Sequence, residues 1–182
     1  ALRRTIRPRP PGPRPRIVTD ASPWGLGAVL VQNRRPAAWL ACELPPEALV
    51  RYGATPGDCA FQCLWELMAV WVALRAWASR LGQWRLDVEV HSDSVAALSA
   101  ARDLKSRSPA LNDLASELAL CLATEHVAIG LAAHIRGDSN VMADALSRLS
   151  APTPSEVPAS LQAVQRTRVS SLEWRADPGG RF

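Results

Sequence analysis

The sequence predicts an α/β fold, with a mixed five-stranded sheet flanked by helices. Strand-type and helix-type segments follow one another in the order βββαβααβα along the body of the chain. Strands that first follow one another directly and later alternate with helices indicate a sheet that is antiparallel at first and parallel afterwards. The composition, 48% apolar and 21% charged residues, is that of an ordinary globular domain.

The bounds of these segments follow from local patterning. Short apolar, β-branched or alternating runs predict five strands, at Arg16–Asp20, Gly27–Gln32, Pro36–Cys42, Leu86–His91 and Val127–His134. Helical patterning predicts four helices, from a cap at Asp58 to Ser79, and over Ser94–Arg102, Pro109–Thr124 and Asn140–Leu149.

Three regions differ in composition. Residues 1–16 contain six arginines, five prolines and no acidic residue, which predicts a semi-rigid linker. Residues 17–149 form the predicted domain, with eleven basic and fourteen acidic residues. Residues 150–182 are rich in Pro and Ser and are predicted to be a C-terminal tail, with one short helix around Leu161–Arg168. Because the chain begins with Ala1, we expect it to be a piece of a longer product, joined through the linker to something upstream.

The cellular setting is predicted from absences in the sequence. No apolar run reaches the roughly 18 residues of a membrane span, and the arginine- and proline-rich N-terminus is not a signal peptide. The four cysteines lack the paired spacing of a disulfide framework or a zinc site. We therefore expect four buried, reduced thiols in an intracellular protein of the cytoplasm or nucleus, with no membrane partner.

Glu66 is the most unusual residue of the body. It lies in an apolar run from Ala60 to Leu74, with no basic residue within one turn. A helix that is apolar on nearly every face is buried, and burying a carboxylate is costly unless it is paired. Two interpretations remain open: the side chain reaches solvent through a gap, or a cation such as a metal ion compensates its charge.

Three aspartates complete a set of four acids. Asp20 ends the first strand, Asp93 ends the fourth, and Asp144 lies among apolar residues of the last helix. Taken singly, each aspartate is typical of a turn or a helix cap. Four carboxylates in one place would repel one another, and two divalent cations would balance them. Hard oxygen ligands select Mg²⁺ or Mn²⁺, and two such ions about 3.5–4 Å apart promote phosphodiester cleavage.

Four motifs, in this order along the chain, resemble one protein family. They are T-D-A-S…G-x-G-A-V-L from Thr19, E-L-x-A-x-x-x-A-L from Glu66, S-D-S from Ser92, and H-I-x-G-x-x-N-x-x-A-D-x-L-S-R from His134. The set resembles ribonuclease H of type 1, and more narrowly the ribonuclease H domain of retroelement (DIRS-like or Ty3-like) reverse transcriptases. The resemblance covers about residues 17–149.

The resemblance implies an activity and a catalytic site. The activity would be that of an endonuclease cleaving the RNA strand of RNA–DNA hybrids by a two-metal-ion mechanism, within a retrotransposon reverse transcriptase that carries an upstream polymerase domain. Asp20, Glu66, Asp93 and Asp144 would hold two Mg²⁺ or Mn²⁺ ions, with Asp20 bridging them. His134 would assist water activation or product release.

Substrate contacts are assigned in the same way. RNA would be selected through its 2′-hydroxyls across a shallow minor groove. Ser22, Gly25, Ser94 and Asn140 are the candidate substrate-binding residues, although Asn140 is also well placed to cap the last helix.

Several alternatives stay open. The chain could be a non-catalytic ribonuclease H-like tether, or a decayed retroelement fragment that binds nucleic acid, although such domains typically lose their carboxylates. An integrase-type nuclease of the same fold would place its glutamate last, which this sequence does not. A small patch of basic and aromatic residues, Arg75, Arg80 and Arg85 with Trp77 and Trp84, predicts either core packing of the tryptophans or stacking on nucleic acid.

Overall fold

A single five-stranded sheet organises the computed structural model, which describes residues 13–82 and 87–169. The strands are β1 Arg16–Ala21, β2 Gly25–Gln32, β3 Arg35–Glu43, β4 Asp87–Ser92 and β5 Ala128–His134. Their order across the sheet is β3-β2-β1-β4-β5. The pairs β1–β2 and β2–β3 are antiparallel, whereas β1–β4 and β4–β5 are parallel. The predicted mixed sheet is therefore confirmed.

Helices cover both faces of the sheet. They are α1 Pro46–Tyr52, α2 Gln62–Gly82, α3 Val95–Asp103, α4 Pro109–Glu125 and α5 Val141–Ser147. Helices α2, α3 and α4 contribute to the main core with the inner face of β1, β2 and β4, while α5 packs on the opposite face against β2, β1 and β3. The two faces thus carry separate apolar clusters.

Helix α2 is the centre of the main core. Trp65, Trp71 and Trp77 are almost fully buried on it, as expected for a helix that is apolar on nearly every face. By length and composition alone the 23 residues from Cys59 to Leu81 would suffice to cross a membrane. The helix instead packs against β1 and α4, and core helices of this kind commonly meet the same criterion.

The segment between β3 and α2 differs from the prediction in detail. Between the predicted third strand and the cap at Asp58, where the patterning predicts no regular element, the chain forms α1, which has a proline in its first turn and ends at Gly53, where φ is 63°. Asp58 caps a short 3₁₀ helix, Cys59–Phe61, by accepting a hydrogen bond from the backbone of Ala60, and α2 starts only at Gln62. The prediction that all four thiols are buried is wrong: Cys59 in the 3₁₀ helix and Cys63 in the first turn of α2 are exposed.

Residues 150–169 pack against the domain. The helix predicted around Leu161–Arg168 is wrong: a 3₁₀ turn spans Ala159–Leu161, and Arg166 pairs in parallel with Trp39 at the outer edge of β3. The Trp39 indole donates hydrogen bonds to the carbonyls of Leu161 and Val164. Pro-rich composition predicts the lack of regular structure but not this docking, because an extended segment can still pair with an open sheet edge.

Candidate metal centre

Three of the four predicted acids meet at one end of the sheet. Asp20 is the penultimate residue of β1, Asp93 directly follows β4, and Glu66 lies one turn into α2. Because β1 and β4 are parallel neighbours, their carboxyl ends lie side by side. Ligand atoms of these three side chains lie within 4.8 Å of one another. We call this group the acidic triad.

Burial makes the acidic triad electrostatically strained. Asp20 and Glu66 are each only 4% exposed. Burial, with smaller repulsion from Asp93 and Asp144, raises the pKa of Asp20 to about 7. Burial, followed by repulsion from Asp20 and Asp93, raises the pKa of Glu66 to about 8. A divalent cation would lower both pKa values, because it stabilises the ionised carboxylates.

Neutral hydrogen-bond donors hold Glu66 in place. Its Oε1 accepts hydrogen bonds from the backbone N–H of Ala21 at 3.3 Å and from Nε2 of Gln62 at 2.9 Å. Its Oε2 accepts a hydrogen bond from the hydroxyl of Ser92 at 3.3 Å. Sequence reasoning missed the role of Gln62, although its position one helical turn before Glu66 is a signal that could have revealed it.

Asp20 is held in the same way from the opposite face of the sheet. Its Oδ2 accepts a hydrogen bond from the Ser147 hydroxyl at 2.7 Å, and its Oδ1 accepts one from Nδ2 of Asn140 at 3.3 Å. Both donors come from α5 and its start. Ser147 is fully buried, and its role was not predicted, because nothing in a single sequence shows which turn of α5 faces β1.

Gly27 explains how α5 comes so close. It is the β2 partner of Asp20 in the sheet. A Cβ atom at Gly27 would lie 2.5 Å from the backbone nitrogen of Ser147, closer than real Cβ contacts. The second glycine of the G-x-G motif thus allows the backbone of α5 to touch the sheet beside Asp20, which brings the Ser147 hydroxyl within reach.

Asp144 lies on α5 outside the acidic triad. Its Oδ1 accepts a hydrogen bond from Nε of Arg148, one turn later, at 2.7 Å, and the two side chains are 42% and 47% exposed. Its charge still contributes to the raised pKa of Asp20. The role of Asp144 as a fourth ligand stays a prediction, and in the structure its carboxylate is neutralised by the chain's own arginine.

His134 lies at the end of β5, exposed, opposite Ser92 of β4. The loop that follows runs past the acidic triad: a Cβ atom at Gly137 would lie 3.3 Å from Oδ2 of Asp93. His134 is thus exposed on the strand next to the one that leads to Asp93, and its auxiliary role stays a prediction.

The predicted substrate-binding residues occupy mainly structural positions. The buried Ser22 hydroxyl accepts hydrogen bonds from the backbone of Trp24 and Gly25, and donates one to the carbonyl of Ser147 at 2.7 Å. Gly25 packs against the backbone of β3 and α5. Ser94 caps α3 by accepting a hydrogen bond from the backbone of Ala97. Their role in substrate binding stays a prediction. Since both serine hydroxyls are engaged within the protein, a substrate would contact the backbone of the turn after β1 and of the start of α3.

Asn140 behaves differently from a helix cap. It occupies the N-cap position of α5, but its side chain makes no capping hydrogen bond. Its Nδ2 instead donates hydrogen bonds to the carbonyl of Thr19 at 3.0 Å and to Asp20. Asn140 therefore occupies the expected N-cap position without a side-chain capping bond, and its amide group orients Asp20.

Within the predicted patch of basic and aromatic residues, the core-packing interpretation is confirmed for Trp77. Its side chain is fully buried in the main core, and its indole donates a hydrogen bond to the Thr167 hydroxyl at 2.9 Å. Trp84 and Arg85 lie outside the described residues. Trp77 therefore joins α2 to residues 150–169 and is not available for stacking on nucleic acid.

Solved structures similar to this one are ribonucleases H1. The structure of LC11-RNase H1 in complex with an RNA/DNA hybrid matches with a TM-score of 0.57 and 19% identity, covering 73% of this chain and 93% of that one. Ribonuclease H1 from the halophilic archaeon Halobacterium salinarum NRC-1 matches with a TM-score of 0.57 and 20% identity, covering 76% and 97%. No family model and no curated protein sequence matches the chain. At these identities the likeness establishes architecture: the chain has the ribonuclease H fold.

Proposed function

We propose that the chain is a metal-dependent ribonuclease H that hydrolyses the RNA strand of RNA–DNA hybrids. The observation that carries this proposal is the acidic triad, three carboxylates within 4.8 Å at the carboxyl ends of two parallel strands. The fold is shared with ribonucleases H1, one of which was solved with an RNA/DNA hybrid bound. A buried cluster of acids has no structural benefit that would offset its repulsion, which supports a functional role.

The donor set fits Mg²⁺ or Mn²⁺. Every side chain of the acidic triad offers oxygen, the ligand that these hard cations prefer. Oδ1 of Asn140, beside Asp20, is buried and has no hydrogen-bond partner among the described residues. Buried polar atoms are nearly always paired, and water on a hydrated cation would supply the missing donor. Asp20, Glu66 and Asp93 would hold the first ion, and Asp144 would join them when two are bound.

Hydrolysis forms a bond between a water oxygen and phosphorus and breaks the bond from phosphorus to the leaving oxygen. The water must therefore lose a proton, and the leaving oxygen must gain one. When bound, the divalent ions lower the pKa of the water and stabilise charge on the phosphate. The chain's own residues orient the reaction: Ser147 and Asn140 fix the two oxygens of Asp20. The exposed His134 imidazole carries protons between this site and solvent.

Backbone groups around the acidic triad would distinguish RNA from DNA. The turn after β1 and the first residue of α3 border the acidic triad, because they follow Asp20 and Asp93 directly along the chain. Backbone groups near Ser22, Gly25 and Ser94 would contact 2′-hydroxyls in the shallow minor groove of the hybrid.

A narrower proposal concerns the setting. The motif order supports a ribonuclease H domain of a retrotransposon reverse transcriptase, following an upstream polymerase domain and acting within the cell. The body between residues 17 and 149 has more acidic than basic residues, so we expect it to bind nucleic acid weakly by itself. A covalent link to a polymerase domain would compensate, because it raises the effective concentration of the substrate.

The test is cleavage of a hybrid labelled on its RNA strand, with Mg²⁺, Mn²⁺ or EDTA. We expect cuts in the hybrid only when metal is present, little cleavage of single-stranded RNA or duplex DNA, and loss of cleavage in Asp93→Asn. The exposed Asp103 on α3 provides a matched control, and Asp103→Asn should cleave normally. Cleavage that persists in EDTA would contradict the metal mechanism. Binding without cleavage, even with a polymerase domain appended, would establish the non-catalytic tether instead.

A further inference from the structure

A second polar feature lies at the opposite end of β1. A cavity of about 620 Å³ is lined by Pro13, Arg14, Arg16, Val31, Arg34 and Glu89. We call it the arginine pocket. Arg16 and Asp20 are four residues apart on one strand, so they face the same side of the sheet, roughly 13 Å apart at 3.3 Å per residue. The basic residues 1–16 singled out in the sequence end at this cavity.

The arginines of this pocket are only loosely paired. Nε of Arg16 lies 3.4 Å from the Glu89 carboxylate, and a terminal nitrogen of Arg14 lies 3.7 Å from Asp87, beyond hydrogen-bond distance. Arg34 has no ion-pair partner among the residues that the structure describes. Three guanidinium groups therefore surround one lining carboxylate, and none of them is saturated.

Two buried nitrogen atoms here have no hydrogen-bond partner among the described residues. They are Nε of Arg14 and Nε2 of His91, which lies beside the pocket at 3.5 Å from Glu89. Such atoms are rare in folded proteins, because leaving a buried donor unpaired is costly. Four such atoms occur among the described residues: one lies beside the acidic triad, one is Nε1 of Trp65 in the main core, and two lie at the arginine pocket.

The backbone at Arg34 supports the same conclusion. Asn33 and Arg34 form the two-residue turn between β2 and β3, with φ of 52° and 64°. Such hairpin turns favour glycine at the second position, since a side chain is disfavoured at positive φ. A long arginine at this disfavoured position, beside a cavity with two further arginines, supports a role for the guanidinium itself.

We propose that the arginine pocket binds a phosphate group. A phosphate offers several acceptor oxygens and a negative charge, and the planar guanidinium matches it with two parallel hydrogen bonds. The phosphate can belong to the backbone of a nucleic acid or to a small phosphate compound. This inference does not depend on the metal site or on cleavage, because the pocket shares no residue with the acidic triad.

The first arm of the test uses inorganic phosphate, in EDTA and at constant ionic strength. Titration followed by NMR should show saturable shifts of the Arg14 and Arg34 side-chain N–H signals. Arg34→Gly should weaken binding while keeping or raising the melting temperature, because glycine suits the turn. Arg14→Gln combined with Arg34→Gly should abolish binding, whereas Arg35→Gln, the neighbouring exposed arginine outside the pocket, should leave it intact.

The second arm identifies the source of the phosphate. Affinity for an RNA–DNA hybrid is measured in EDTA over a range of salt concentrations. If the pocket holds a backbone phosphate, the slope of log affinity against log salt falls by about 1 in Arg14→Gln/Arg34→Gly relative to Arg35→Gln. An unchanged slope, with phosphate binding lost, assigns the pocket to a small phosphate compound. Absence of saturable phosphate binding, or equal weakening in Arg35→Gln, means an adventitious ion only and overturns the proposal.

Discussion

The buried and exposed parts of the acidic site are stabilised in different ways. Asp20 and Glu66 are 4% exposed and receive hydrogen bonds from neutral groups, among them Ser147 and Gln62. Asp144 is 42% exposed and is paired with a full positive charge on Arg148. Neutral donors orient a carboxylate without cancelling its charge, so repulsion remains in the buried part and is relieved in the exposed part. A bound cation should therefore affect the buried pair most.

The largest effect is expected for Glu66→Gln. Glutamine keeps the shape of the side chain but removes the negative charge and one acceptor oxygen from the acidic triad. We expect Mn²⁺ affinity and hybrid cleavage to fall more than about 100-fold, beyond the usual effect of residues that only support ligands. Calorimetric titration with Mn²⁺ measures the first loss. Glu117→Gln, at an equally buried glutamate on α4, should bind Mn²⁺ normally, and an equal loss there would assign the effect to general destabilisation.

The next effect concerns stability of the metal-free protein against pH. The pKa of Asp20 rises to about 7 and that of Glu66 to about 8 on folding. The folded state then binds these two protons more tightly than the unfolded chain does, so the stability that the two carboxyl groups contribute is fully present below about pH 4 and is lost as the pH rises towards 8. Thermal melts in EDTA should show this decline, and saturating Mn²⁺ should reverse it.

Asp20→Asn tests whether repulsion among the buried carboxylates destabilises the metal-free protein. The Asn side chain can accept a hydrogen bond from Asn140 and donate one to the Ser147 hydroxyl, whose single proton can then turn to the carbonyl of Asp144, 2.9 Å away. The metal-free variant should therefore melt at a higher temperature than the parent at pH 8, by several degrees, while losing cleavage. A lower melting temperature at pH 8 would show that the carboxylate of Asp20 is needed for folding.

A smaller effect on cleavage is expected for a change at the exposed His134. His134→Ala should slow cleavage by roughly 100-fold at most, the range of an acid–base residue, and leave Mn²⁺ affinity unchanged. Asp93→Asn should reduce both. The exposed His126, in the αL turn after α4, gives a matched control, since His126→Ala should alter neither quantity. If His134→Ala lost Mn²⁺ binding as Asp93→Asn does, His134 would have to be a ligand.

The smallest effect is expected for Arg148→Gln. An exposed ion pair contributes at most about 1 kcal/mol, so the metal-free melting temperature should drop only slightly. Mn²⁺ affinity should rise by about threefold, because Asp144 no longer has a competing cation. Arg102→Gln, which breaks the comparable exposed pair with Asp103, should leave Mn²⁺ affinity unchanged. A fall in Mn²⁺ affinity for Arg148→Gln would mean that Arg148 positions Asp144 for the metal.

Sequence patterning predicted the regular elements well where the physics is local. The alternating run before Asp93 and the apolar run around Glu66 produced a strand and a helix within a few residues of the predicted bounds. Predictions failed where a tertiary contact decides. Asn140 matches a helix cap in sequence, but its side chain turns towards the end of β1, where its Nδ2 finds two acceptors, Thr19 and Asp20. Leu161–Arg168 has helical composition, but it pairs with the open edge of β3 instead.

The sequence by itself determined the strand and helix order, the buried character of α2, and four acids that share no local role. The order and the burial follow from the periodicity of apolar side chains, which the sequence shows directly. The unusual acids stand out because burying a charge is costly. Only the tertiary structure decided which acids meet, and that Ser147 and Gly27 bring α5 to Asp20. Those outcomes depend on distances between segments that are far apart along the chain, such as Asp20 and Ser147, and such distances are set by packing across the sheet.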